Sequence, residues 1–406
     1  MKIKNILTRV SIVMLSALML SACNGKKENT PDNSNVSENP ETLKEEIPLI
    51  TELTVTDNSP GDYFLINAMS DGVFAVFNEN FSLGFIDKDG NSILPCKYGS
   101  KRTVNDSVVA IQNADGLWGY FNVETEKFIL DCKYEAVLDF SEGIGCYYDG
   151  EYYRYINTDG SVAIDNVFYE AAAFKDGLAR VFSKDYVGYI NKKGELVFYC
   201  DYEHFDDFHE GMARISDGKN FGYIGKDGEI KFAMDCDGIY NYKDGLAAFI
   251  TNGKIGYIDK ESRVVVAPEY NAPKQNTVEY FRFECGVAPI MKDGKYGFIN
   301  TKGELVISPE YDLVHIAVED IIRVRKDKLY GYITTDGKVL TDCIFEEGSA
   351  FSGGIAKVRK DGKYYYINKE GNPITELRFD DATEFTENTA FVVTSGTDTW
   401  VKVTAK

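Results

Sequence analysis

Phe174-Lys-Asp-Gly177-Leu-Ala-Arg-Val-Phe182-Ser-Lys-Asp-Tyr-Val-Gly188-Tyr-Ile-Asn191-Lys-Lys-Gly194-Glu195 holds two phrases that return about every 34 residues. The first is an aromatic, two variable residues, Gly, an aliphatic and usually Ala. It recurs at Phe208-His-Glu-Gly211-Met-Ala, Tyr242-Lys-Asp-Gly245-Leu-Ala and Phe351-Ser-Gly-Gly354-Ile-Ala. The second is Gly, an aromatic, an apolar residue and usually Asn or Asp. A fixed period of this size marks an array of supersecondary units, none of which buries its apolar face alone.

Aligned on the first phrase, the registers are Gly72, Ser107, Gly143, Gly177, Gly211, Gly245, Gly286, Asp320, Gly354 and Asn388. These are ten copies in steps of 34 to 36 residues, with one step of 41. Aligned on the second, they are Gly84, Gly119, Arg154, Gly188, Gly222, Gly256, Gly297, Gly331 and Tyr365, with a degenerate tenth at Thr399-Trp400-Val401. The glycines of both registers read as structural repeat positions. The long step holds an insertion within Asn271–Glu279, which reads as a surface loop.

Within a copy, Gly177–Phe182 alternates and is rich in strand formers. Lys292-Asp-Gly-Lys295 and Lys360-Asp-Gly-Lys363 predict tight hairpins. Asn191–Glu195 predicts a longer loop with Gly194 at positive φ, and Leu196–Tyr199 a third strand. Each unit is thus expected to be a three-stranded antiparallel meander, joined to the next by a Tyr-containing crossover with room for a short fourth strand. Ala179, Ala213, Ala247, Ala288 and Ala356 are small and let the next sheet approach. The position after them (Arg180, Arg214, Ala248, Pro289, Lys357) varies, so it is expected to face out, and Pro289 suggests an edge strand. The Gly of Gly-Tyr-Ile is expected to leave room for a neighbouring aromatic.

The fold class is all-β: tandem repeats forming an open β superhelix or a propeller-like toroid. Leu49–Thr56 alternates like a strand, whereas the last unit lacks its third strand. In a closed toroid these halves would pair; ten units exceed the usual four to eight blades, which keeps the open form in play.

From Met69 to the end, these features resemble the WG-repeat family of bacterial proteins. Only Trp118-Gly119 is a literal Trp-Gly step; Leu83, Val187, Phe221, Ile255, Tyr296 and Tyr330 stand in the Trp place. The resemblance implies repeats of this length and no settled activity.

Residues 1–22 stand apart. Lys2, Lys4 and Arg9 precede an apolar run, Ile12–Leu20, too short to span a membrane comfortably, as in a secretory signal. Leu20-Ser-Ala-Cys23 resembles the bacterial lipoprotein signal-peptidase box, which implies cleavage before Cys23 and a diacylglycerol on its sulfur. Asn24–Glu46 is polar, with Val36 its one aliphatic residue, and reads as a flexible tether reaching roughly 25–30 Å. The expected division is therefore signal 1–22, acylated cysteine and tether 23–47, and repeat domain 48–406. Localisation follows: exported and lipid-anchored to a bacterial membrane through Cys23 only, facing the periplasm or exterior. No later segment approaches the roughly 18 apolar residues of a span.

The chain carries a net charge of −20, which opposes nucleic-acid binding. Seven cysteines remain once Cys23 is set aside, and an odd number cannot all pair within one chain. Cys96, Cys132, Cys200, Cys236 and Cys343 fall at a repeat position that Pro268 and Pro309 also occupy, so they read as packing residues. His204, His209 and His315 are the only histidines; His204 and His209 fall in one crossover, and the expected reading is a surface histidine rather than a catalytic base. No nucleophile elbow, zinc helix or phosphate loop is present. Asp87–Gly90 looks calcium-like but lacks the EF-hand Glu, and turn chemistry explains it better. No catalytic residue, cofactor or metal site is expected. The expected function is a non-enzymatic scaffold binding a protein or peptide at the cell envelope. A glycan-binding module is the alternative, because Gly362–Gly371 resembles the aromatic hairpins of choline- and glucan-binding repeats. A hydrolase comes last.

Overall fold

The computed structural model describes residues 53–56, 59–69, 72–200, 202–272, 281–397 and 399–405. The signal, Cys23 and the tether lie outside the described residues, as do residues 273–280 of the insertion.

The described residues form strands and turns, arranged as nine antiparallel sheets: seven of four strands, one of three and one of seven. The fourth unit shows the plan. Glu170–Ala171, Leu178–Phe182, Val187–Asn191 and Leu196–Tyr199 lie side by side in chain order. The crossover thus carries a short strand, and the usual unit has four strands rather than three. The seven-stranded sheet joins the ninth unit to the tenth.

The first phrase is a turn. Asp176 and Gly177 take φ of 53° and 81°, and Lys175 bridges to Leu178. Two successive left-handed residues match the right-handed twist of the flanking strands. Its counterparts Gly72, Gly143, Gly211, Gly245, Gly286 and Gly354 share that conformation, as do Ser107, Asp320 and Asn388 where Gly is replaced.

The second phrase works differently from the expectation. A Cβ on Gly188 would stand 2.3 Å from the Phe198 carbonyl oxygen, and one on Gly119 2.3 Å from that of Leu130. The same holds at Gly84, Gly222 and Gly297, against Leu94, Phe232 and Ile307. Only at Gly256 is the nearest atom aromatic, on Phe249. The space is therefore filled by the backbone of the third strand, which bulges toward the Gly: Leu83 pairs with Tyr98 but Phe85 with Leu94. Where Tyr365 replaces Gly, the third strand leaves the ladder, keeping only the Tyr364–Phe379 and Ile367–Pro373 pairs. Arg378 then lies 4.0 Å from the Tyr365 ring centre. Arg154 keeps the bulged ladder and pairs with Asp149.

Both faces of each sheet are buried. Tyr189 and Ile190 point opposite ways, yet are 1% and 0% exposed. Tyr189 packs with Phe208 and Ala213 of the next unit, Ile190 with Tyr155 and Ile164 of the one before. Residues remote in sequence meet the same way. Leu53–Thr56 pairs antiparallel with Trp400–Ala405 and supplies the strand the tenth unit lacks. The first unit also packs on the tenth through Phe74 and Phe391, 4.8 Å apart, and through Ile66 and Trp400. Gly72 N–H donates to Thr386 Oγ1 at 3.1 Å, and Lys88 meets Glu387 at 3.2 Å.

Candidate functional site

Three recurrent contacts join each unit to the next. The first uses the tyrosine of Gly-Tyr-Ile. Tyr155, Tyr189, Tyr332 and Tyr366 donate from their hydroxyls to the carbonyls of Ala172, Asp206, Ser349 and Thr383, each 17 residues on. Tyr257 reaches Phe281, 24 residues on, because the insertion intervenes. Burial pushes these phenols well above their usual pKa, so each stays a neutral donor.

The second uses the position expected to face out. Arg180 Nη1 donates to Phe205 O at 3.0 Å and its Nε to Asp207 at 2.7 Å. Arg214 donates to Ile239 O at 2.9 Å, and Lys357 to Ala382 O at 2.9 Å. Arg323 reaches Gly348 O. Each carbonyl acceptor lies 25 residues on, in the next unit's crossover. Ala248 and Pro289 are buried outright. This position faces the neighbouring unit, not solvent, because every sheet is flanked on both sides. Among the described residues, the strand holding Pro289 is the outer one of its three-stranded sheet; in the four-stranded sheets the crossover strand covers its counterpart.

The third contact was not read from the sequence. The residue before the turn Gly is an acid in most units, and its carboxylate accepts the N–H of the next unit's turn Gly. Gly143 donates to Asp106 at 2.8 Å, Gly211 to Asp176 at 2.6 Å, Gly286 to Asp244 at 2.7 Å and Gly354 to Glu319 at 3.0 Å. Gly177 donates to Glu142, and Glu210 takes both Asp244 N–H and Gly245 N–H, at 2.8 and 2.9 Å. Lys192, Lys260 and Lys369 neutralise Glu142, Glu210 and Glu319 at 3.0 to 3.2 Å. A signal was present: Glu is a poor choice at positive φ, so its recurrence there asks for a second role. Glu210→Ala is expected to cost about 2 kcal/mol by stranding two part-buried donors. Amide hydrogen exchange at Asp244 and Gly245 should quicken, and unchanged protection there would refute the role.

Charged residues of neighbouring crossovers and turns line two clefts. One, of about 600 Å³, is bordered by Arg102, Lys175 and Arg180 together with Asp106, Asp139, Glu142 and Asp207. Arg102 stacks 5.0 Å from the Trp118 ring centre and lies 3.7 Å from Asp139, whose buried Oδ1 has no hydrogen-bond partner. The other, of about 410 Å³, is bordered by His209, Arg214, Tyr240, Lys243, Arg282 and Glu284. Glu284 serves both Lys243 at 3.1 Å and Arg282 at 3.3 Å. Burial lowers the His209 pKa, keeping the ring neutral.

The remaining expectations fall as follows. His204 is exposed beside Glu203, and His315, held to about 4 by burial and by Arg323, packs against that guanidinium. The described cysteines form no disulfide: Cys146 and Cys200 are buried and Cys96, Cys132, Cys236, Cys285 and Cys343 half-buried. Burial pushes Cys132 and Cys236 up to about 11, which suits packing rather than nucleophilic work. Asp87 accepts the N–H groups of Asp89 and Asn91, so its carboxylate builds the turn. In the Gly362–Gly371 hairpin, Tyr365 and Tyr366 are buried, which leaves Tyr364 as its only part-exposed ring.

Nine stretches between residues 84 and 397 match the repeat described as "WG containing repeat": 84–113, 118–151, 153–185, 188–220, 221–254, 255–296, 296–330, 330–364 and 366–397. The chain belongs to the WG containing repeat family. The matches follow the ten registers from the second phrase of the first unit into the tenth. No curated protein matches this WG-repeat chain significantly. Among solved structures it is similar to a eukaryotic initiation factor at 11% identity and a TM-score of 0.48, covering 77% of this chain and 97% of that one. It is also similar to the computationally designed Ika8 protein, at 14% identity and a TM-score of 0.38, covering 76% and 96% of the two chains. A third is the WD40 domain of SCAP from fission yeast, at 11% and 0.32, covering 87% and 97%.

Proposed function

We propose that this WG-repeat chain is a ring-closed, non-enzymatic scaffold, exported, anchored through a lipid on Cys23, and binding a protein or peptide at the cell envelope. Ring closure is supported by the pairing of Leu53–Thr56 with Trp400–Ala405 and by the contacts of the first unit with the tenth. The anchor rests on the Leu-Ser-Ala-Cys23 box, and the mass of Cys23 in the mature chain tests it.

The binding reading rests on one observation. Neighbouring crossovers and turns assemble opposite charges in a single cleft, where Arg102 meets the Asp139 carboxylate only at 3.7 Å. The Asp139 side chain is 42% exposed, so a cationic group of a polypeptide can compete with Arg102 for its carboxylate. Alternating charges also suit a chain that presents both signs. The test is capture of envelope proteins by the body from residue 48, compared with Asp139→Lys and Lys175→Glu. A partner retained by the parent and lost by both variants is the expected result. Saturable sugar binding on a glycan array, with no retained polypeptide, would overturn it in favour of a glycan-binding module.

A further inference from the structure

The repeat sets its own standard for the outer end of the second strand. Lys295 pairs with Asp312 and Lys363 with Asp380, each 17 residues on, and Lys254 donates to Asn271 at the same offset. The third unit places Tyr152 and Tyr169 at these two positions, with ring centres 5.7 Å apart. Phe182 follows at 5.9 Å from Tyr169, and Tyr148 lies 5.3 Å from Tyr153. Tyr169 and Phe182 are 44% and 43% exposed. An ion pair has been exchanged for aromatic contacts, with Tyr169 and Phe182 exposed and Tyr148, Tyr152 and Tyr153 half-buried.

The eighth and ninth units show what covers such rings elsewhere. Tyr330 and Tyr364, the counterparts of Tyr153, lie under the guanidinium groups of Arg325 and Arg359 at 5.8 and 5.5 Å. The residues standing in place of those arginines are Tyr148 in the third unit and Phe182 in the fourth. Among the described residues, no cation lies over the rings of Tyr148, Tyr152, Tyr153, Tyr169 or Phe182. Arg154, the nearest in sequence, is held by Asp149; Lys184 is exposed in the following hairpin. Carboxylates border the rings: the neighbouring Glu151 carboxylate raises the pKa of the Tyr152 hydroxyl, and Glu170 is the ladder partner of Phe182. Ring faces attract cations, guanidinium groups above all, and a chain of net charge −20 favours their approach.

We propose that this aromatic run is a docking site for arginine or lysine side chains of a basic polypeptide, a partner class that deepens the polypeptide-binding reading and rests on it. The partner's cations take the place that Arg325 and Arg359 fill within the chain.

The test titrates the full-length chain, in detergent micelles, with pentaarginine and pentalysine. Tyr152→Lys with Tyr169→Asp installs the pair the repeat uses elsewhere, so it preserves both the fold and the net charge. Pentaarginine is expected to bind more tightly than pentalysine, and to bind the double variant about tenfold more weakly. Equal affinity for parent and double variant would mean attraction to bulk charge alone and would overturn the proposal. So would a parent chain that binds neither peptide. The cleft variants Asp139→Lys and Lys175→Glu change none of these rings, so a failure of the cleft and a failure of this site read out separately.

Discussion

Deleting residues 48–58 is expected to destabilise the repeat body by roughly 3–5 kcal/mol, a larger effect than most point substitutions. The segment supplies Leu53–Thr56, the one strand that pairs with Trp400–Ala405 from the far end of the chain. Leu53 and Val55 pack on the cluster built from Phe379, Ala390, Val392, Val403 and Ala405. Their removal opens that cluster to water and leaves the final strand as a bare edge, ready to pair with other chains. The damage should spread to the junction between Phe74 and Phe391, because the tenth unit is held between the ninth and the first. Differential scanning calorimetry should show a lower and broader transition, and hydrogen exchange should speed up at Trp400–Ala405 first. If the shortened body melted where the parent does, the ring-closed reading would lose its main support. Supplying the missing segment as a free peptide should restore part of the loss by mass action.

The periodicity carried most of the architecture because a repeat samples each position many times. Ten copies made it plain that Leu178–Phe182 is a strand, but Gly177 reads in sequence as the first residue of that strand, and its left-handed turn with Asp176 emerges only in the structure. The same averaging misread two positions. Arg180 and Arg214 look like surface residues in a lone amphipathic sheet, since polar groups normally mark the solvent face. In an array, both faces belong to neighbours, and the guanidinium reaches a carbonyl 25 residues on. The role of Gly188 was also misassigned, because sequence shows that a side chain is excluded but not what excludes it. The turn acids went unread for a related reason: their acceptor role joins residues 35 apart, beyond any local pattern. The charged cleft was the least legible. Arg102, Asp139 and Lys175 belong to different copies and follow no shared rule, so only the fold brings them together.

Gly188→Ala is expected to cost at least about 3 kcal/mol, whereas Gly211→Ala should cost about 1 kcal/mol. The two glycines differ in what constrains them. Gly211 sits at φ of 84° with nothing within 4 Å of an added Cβ, so only backbone strain opposes alanine. At Gly188 the new methyl meets Phe198 O at 2.3 Å and Tyr199 Cα at 3.2 Å. Both are backbone atoms, so no rotamer change relieves the clash. Either Leu196–Tyr199 leaves the sheet or Val187–Asn191 moves and drags Tyr189 from its bond to Asp206. The chain contains the first outcome already: at Tyr365 the third strand departs, and Arg378 covers the ring that displaced it. The fourth unit has no such cover, with Tyr199 already 73% exposed where Arg378 would be needed to shield new surface. Gly188→Ala should therefore lose amide protection along Leu196–Tyr199 before any other strand, while Gly211→Ala leaves that strand protected. Equal losses from the two substitutions would mean that the close approach of the third strand is not what fixes glycine at this register.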